Sequence, residues 1–113
     1  MSCIFCKIAA GEIPAQVILN EPDLLAFRDI TPVAPTHALV IPRRHIVSLA
    51  HITAAEAELI GRLFVAARQI AEMDGALERG FRTVFNAGAD AGQTVFHIHL
   101  HVLAGRVMTW PPG

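Results

Sequence analysis

Three histidines alternate with apolar residues in His97-Ile98-His99-Leu100-His101-Val102-Leu103. Imidazole titrates near neutral pH, and its two nitrogens can serve as nucleophile, general base or metal ligand. Side chains two apart on a strand share a face, so this spacing puts His97, His99 and His101 on one side and Ile98, Leu100 and Val102 on the other. A helix would turn His99 almost opposite His97, so the spacing predicts a strand. Every buried ring nitrogen needs a partner, which makes three alternating imidazoles a poor core filling. Metal is the first rival. At a rise of ~3.3 Å per residue His97 and His101 stand about 13 Å apart. One zinc, with nitrogens at ~2.1 Å, could take two neighbours but hardly all three. The row suits nucleophilic attack and proton transfer better.

The segment Asn86-Ala87-Gly88-Ala89-Asp90-Ala91-Gly92-Gln93-Thr94 runs directly into that row. Gly88 and Gly92 let backbone N–H groups come close to an anion, while Asn86, Gln93 and Thr94 add polar side chains. By itself it reads as a hairpin connection. Beside three histidines it becomes a phosphate seat. Cys3 and Cys6 make a Cys-x-x-Cys pair, too close in sequence to staple a fold. Such a pair reads as metal or redox chemistry, and the rival reading is two small buried apolar residues.

These residues must be positioned by a small fold. The chain has 113 residues and a mass of 12.2 kDa, which allows one domain, residues 1–113. Hydrophobic residues make up 53% and charged ones 17%, which excludes intrinsic disorder. A formal net charge of −1 builds no basic field, so nucleic acid is not an expected partner. Mean hydropathy is +0.46, yet no run reaches the ~18 apolar residues of a membrane helix. No membrane partner is expected, and the apolar surplus points to a core plus a homodimer interface. The N-terminus lacks a basic stretch followed by an apolar one, so the expected location is cytoplasmic.

Ser2 can cap a short helix over residues 3–10, stopped by Gly11. Strands are expected at 16–19, 24–29, 36–41, 81–86 and 94–103. Thr53-Ala54-Ala55-Glu56 is a capping box, and Ala57, Ile60, Phe64, Ala67 and Ile70 follow at helical spacing up to Gly75. One long helix against hairpin-connectable strands predicts an α+β fold: an antiparallel five-stranded sheet, the long helix and a short N-terminal helix.

The pattern His-φ-His-φ-His-φ-φ resembles the signature of the histidine-triad superfamily of nucleotide hydrolases and transferases. The likeness runs along nearly the whole chain: Gly11-Glu12-Ile13-Pro14-Ala15, Ala26-Phe27-Arg28-Asp29-Ile30, Ala34-Pro35-Thr36-His37, Val40-Ile41-Pro42 and Gly92-Gln93-Thr94-Val95-Phe96. The ending Trp110-Pro111-Pro112-Gly113 is similar to that of the nucleotide-binding branch, whose members are purine nucleoside phosphoramidases. The resemblance implies that His99 attacks the α-phosphorus of a purine nucleoside monophosphate derivative, a phosphoramidate or adenylate, and carries the nucleotidyl group. It implies that His97 and His101 flank the nucleophile and that His37 orients the triad. Asp29 would hold the ribose hydroxyls, Phe5, Phe27 and Ile30 the base, and Asn86, Gly92, Gln93 and Thr94, with His99 and His101, the phosphate and ribose.

Thr94 stands where the branch often has serine, keeping the hydroxyl and adding a methyl. The branch usually works without a cofactor, so none is expected to be required. Some relatives bind structural zinc, and here the set would be Cys3, Cys6, His45 and His97. His51 has no argued role. Two further functions fit the same residues: a dinucleoside polyphosphate hydrolase and a non-catalytic nucleotide-sensing adaptor.

Overall fold

The computed structural model describes residues 3–113, which leaves the expected cap Ser2 outside the described residues. Cys3 serves as the N-cap of α1 (Ile4–Ala9), its sulfur accepting from the Cys6 N–H. Three strands follow, β1 (Val17–Asn20), β2 (Leu24–Arg28) and β3 (Thr36–Pro42). Then come the long helix α2 (Ala57–Met73), β4 (Phe81–Val84) and β5 (Leu100–Ala104). All pairings in the five-stranded sheet are antiparallel, in the order β1-β2-β3-β5-β4, so the expected α+β architecture is the one observed. Among the described residues no helix is long and apolar enough to cross a membrane.

Alternation sorts the sheet into two faces. Leu24, Ala26, Ala38, Val40, Leu100 and Val102 pack with Leu63, Ala66, Ala67 and Ile70 of α2. Leu25, Phe27, Leu39 and Ile41 point the other way and pack with Phe5 of α1. Truncating Leu63 or Ile70 to alanine in such a core costs about 2–5 kcal/mol. The capping box forms as expected. Glu56 accepts from the Thr53 N–H at 2.7 Å and Thr53 caps the turn in return, although that first turn is a 3-10 turn over Ala54–Glu56.

Two expectations need correction. The buried stripe of α2 is Leu63, Ala66, Ala67, Ile70 and Ala71, whereas Phe64 and Ala57 are exposed. Three alanines let the helix lie close to the sheet, a fit that the bulkier Phe64 would spoil. The last strand also starts at Leu100 rather than Thr94, so His97 and His99 precede it. In the β3–β5 register Val40 faces Leu100, which would bring Pro42 opposite Ile98. Proline has no N–H to give, so the ladder stops. Ile98 instead donates to the Ile46 carbonyl at 2.8 Å and keeps the chain extended through the histidines.

Candidate active site

Every histidine of the row has a hydrogen bond that assigns its protons. A carbonyl can only accept, so the 2.8 Å contact between His99 Nδ1 and the His97 carbonyl places a proton on Nδ1. In the neutral ring, Nε2 of His99 is then bare. His97 Nε2 donates to the Pro42 carbonyl at 2.8 Å, so its bare nitrogen is Nδ1. His37 Nδ1 accepts from the Val33 N–H at 3.1 Å, leaving the His37 proton on Nε2. That nitrogen lies 3.0 Å from His101 Nδ1, which must accept, and so His101 carries its own proton on Nε2. The result is a bare Nε2 on His99 beside a neutral Nε2–H donor on His101, with ring centroids 5.0 Å apart.

Burial disfavours charge on the His37–His101 pair. It pushes His101 down to about 4, with His99 and His37 adding to the effect. Burial also lowers His37, against the pull of Asp29, whose Oδ2 lies 3.4 Å from His37 Nε2. The other carboxylate oxygen of Asp29 takes the Thr31 N–H at 2.8 Å. A cavity of about 370 Å³ opens beside Asp29 and His37, between Pro32, Pro35 and Gln16. A larger one, about 460 Å³, lies between the end of α2 and the ends of β4 and β5, away from the histidines. Among its lining residues is no histidine or cysteine.

Phe5 and Phe27 pack edge to face, with ring centroids 5.6 Å apart. Phe5 also stands 5.0 Å from His99, so the Phe5 ring borders the triad and Phe27 lies behind it. Ile30, on the loop after β2, is 96% exposed. Gln93 is buried and ties its loop to the segment carrying Val47. Its oxygen accepts from the Gly88 N–H, and its amide donates to the Val47 and Val95 carbonyls. Gly92 turns the loop with φ +83°. Thr94 is exposed and Asn86 half-buried, so their polar groups remain accessible.

The cysteine pair is drawn into a second cluster. Cys3, Cys6, His45 and His97 each offer one ligand atom, all within 4.8 Å of one another. The bare Nδ1 of His97 lies 3.5 Å from both sulfurs and 3.2 Å from His45 Nδ1, with Cys6 Sγ 3.3 Å from that same nitrogen. A tetrahedron with Zn–S of ~2.3 Å and Zn–N of ~2.1 Å has edges of roughly 3.3–3.8 Å, so the spacing fits. The Cys6 N–H also points at Cys3 Sγ. Without a cation, burial and the neighbouring Cys3 push the Cys6 thiol up. Asp29, His37 and His101 also cluster, but there the bare nitrogen of His101 is spent on His37.

Three contributors leave no mark in the sequence pattern. The Val33 N–H and the Pro42 and His97 carbonyls are main-chain groups, carried by every residue except for the proline N–H. Arg43 was also unforeseen. It reaches the Ala9 and Glu21 carbonyls and the Asn20 side chain, fastening α1, which carries Phe5 and Cys6, to the β1–β2 turn.

Comparison with known proteins agrees with this geometry. A HIT family hydrolase of known structure from Legionella pneumophila is similar with a TM-score of 0.97 and 50% identity, covering 99% of this chain and 100% of that one. The 14 kDa zinc-binding protein of Zea mays is 46% identical over 112 residues, 97% of this chain and 87% of its own. A histidine triad nucleotide-binding protein from Candida albicans matches with a TM-score of 0.82 and 29% identity over 97% of this chain and 83% of that one. The HIT domain matches residues 10–108. With nearly the whole chain matched and the histidine constellation in place, this protein belongs to the HIT domain family.

Proposed function

We propose that the protein hydrolyses purine nucleoside phosphoramidates through a nucleotidyl group carried on His99. The observation that carries this reading is the bare Nε2 of His99, its proton held on Nδ1 by the His97 carbonyl. Its lone pair forms a bond to the α-phosphorus while the phosphorus–nitrogen bond to the amine breaks, and the leaving nitrogen takes a proton from solvent. Water then attacks the same phosphorus, the bond to His99 breaks, and nucleoside monophosphate departs as one water proton returns to solvent. His101, a neutral Nε2–H donor, hydrogen-bonds the charge that builds on the phosphoryl oxygens. The Thr94 hydroxyl is exposed on the loop before the triad, suited to meet the leaving amine. Asp29 engages the ribose hydroxyls, and the Phe5–Phe27 wall takes the base. The names of the Legionella and Candida relatives, a hydrolase and a nucleotide-binding protein, support the class.

Cys3, Cys6, His45 and His97 would hold a structural zinc, which when bound supplies a rigid tie between α1 and the segment carrying the nucleophile. The maize relative's name supports that assignment.

Amine release from nucleoside phosphoramidates, dinucleoside polyphosphates and aminoacyl-adenylates tests the reading. Phosphoramidates should be the best substrates, and mass spectrometry of a reaction quenched without acid should find one nucleotidyl group on the His99 peptide. Faster cleavage of dinucleoside polyphosphates would replace the reading with the sister hydrolase. Binding without turnover of any member would replace it with a nucleotide-sensing adaptor.

A further inference from the structure

The hydrogen bonds that set the histidine protons do not begin at a side chain. They begin at the N–H of Val33, in the Pro32-Val33-Ala34-Pro35 segment between β2 and β3. That peptide is gripped from its other side, since Arg106 Nε donates to the Val33 carbonyl at 3.0 Å and its Nη1 to the Val107 carbonyl at 3.2 Å. The preceding residue, Gly105, has φ +94°, and a Cβ there would meet Pro35 Cβ at 2.7 Å. The end of β5 is therefore seated directly on this segment. The Val33 side chain itself is 58% exposed and contributes little packing.

We infer that the Val33 peptide, clamped by Arg106, is a positioning element for the triad: its N–H keeps His37 Nδ1 unprotonated, so that His37 donates from Nε2 to His101 and leaves the His101 Nε2–H for the phosphate. The inference rests on the functional reading above only for that last step.

The groups facing His37 make the clamp necessary. The Asp29 carboxylate on the loop after β2 favours a charged ring, while His101 on β5 accepts its Nε2–H. Arg106 lies on the far side of the Val33 peptide. Remove the Val33 N–H and Asp29 draws a proton onto Nδ1. His37 then becomes an imidazolium next to His101, and the relay loses its fixed direction.

Long-range proton–nitrogen NMR of the 15N-labelled full chain reads each ring nitrogen directly, with no substrate present. The wild type should show bare Nδ1 atoms on His37 and His101, and Val33→Ala should look the same. Val33→Pro deletes the N–H, and Arg106→Met deletes the clamp from an exposed side chain, so that at least one variant stays folded. Either should move the His37 titration midpoint up by about one pH unit. Either should lower kcat about tenfold or more with little change in KM. A wild-type His37 bare at Nε2, or an unmoved midpoint in both folded variants, overturns the inference. Wild-type protein with no turnover would sink the functional reading and leave the ring assignments to be judged on their own.

Discussion

His99 donates its Nδ1 proton to the carbonyl of His97, two residues behind it, at 2.8 Å. The same peptide carries the His97 ring, which donates to the Pro42 carbonyl and turns its bare nitrogen toward the cysteines. One residue therefore serves two sites, its main chain orienting the nucleophile and its side chain closing the Cys3–Cys6–His45 cluster.

That division predicts unequal effects for three substitutions. His99→Ala removes the nucleophile and should cost about four orders of magnitude in kcat or more. His101→Ala removes a neutral donor, and a loss of about 10²–10³ is expected. His97→Ala keeps the carbonyl that fixes His99, so about tenfold should be lost. Steady-state kinetics of the three variants decide the order. Near-normal turnover in His99→Ala, or a loss in His97→Ala matching it, would contradict the assignment.

Period-two alternation made the triad legible because every second residue of an extended chain shares a face, whether or not a ladder forms. Where the ladder ends was not legible, because Pro42 stops it from a different strand. Residues 94–99 carry no trace of that. On α2, hydropathy favoured Phe64 at a position that close packing leaves exposed, while Ala66 and Ala71 were buried. The cysteine spacing was visible, and the family resemblance pointed to His45 and His97, but no local spacing shows that these two, distant in the chain, close on the pair. The Val33 N–H was invisible in principle.

A homodimer is expected. β4 lies at an edge of the sheet, next to only one strand. Near it, Phe64 of α2 packs against Phe85, yet 43% of it remains exposed, and Val65 and Phe81 are exposed as well. A second copy would cover this apolar row and continue the sheet, and Trp110, also exposed, could reach the partner's nucleotide site. Light scattering at micromolar concentration should give twice the monomer mass, and Phe64→Asp should lower it to one. A wild type that stays monomeric contradicts the interface.

Zinc should be present at one per chain and structural. Cys3→Ala breaks the set and should release the metal and lower the melting temperature, because metal binding stabilises the fold that presents its ligands. The nucleophile lies outside the set, so kcat should stay within a few-fold below the new melting temperature. Elemental analysis with calorimetry measures the first effect, and the amine-release assay the second. Turnover that vanishes with the metal while the fold survives would show that zinc acts in the chemistry.

Stability should fall as pH drops below neutrality, with His101 as a main cause. Its folded value is held down to about 4, chiefly by burial, whereas an unfolded histidine titrates near 6.5. Between those values the unfolded chain holds a proton that the folded ring refuses. Stability is therefore complete above about 6.5 and declines toward 4, with a slope approaching about 1.4 kcal/mol per pH unit for each such ring. His37, also lowered by burial, acts in the same direction. Asp74 acts lower still. Arg28 at 2.7 Å and the Thr36 hydroxyl hold its carboxyl below the usual range, so its contribution is complete above about 3.9 and is lost as pH falls further. Urea unfolding between pH 7 and 5 should show a shallower slope in His101→Gln than in wild type. Asp74→Asn should lower the curve without changing its slope in that range. An unchanged slope in His101→Gln would mean that the buried ring is protonated in the folded protein, against the hydrogen bond it accepts from His37.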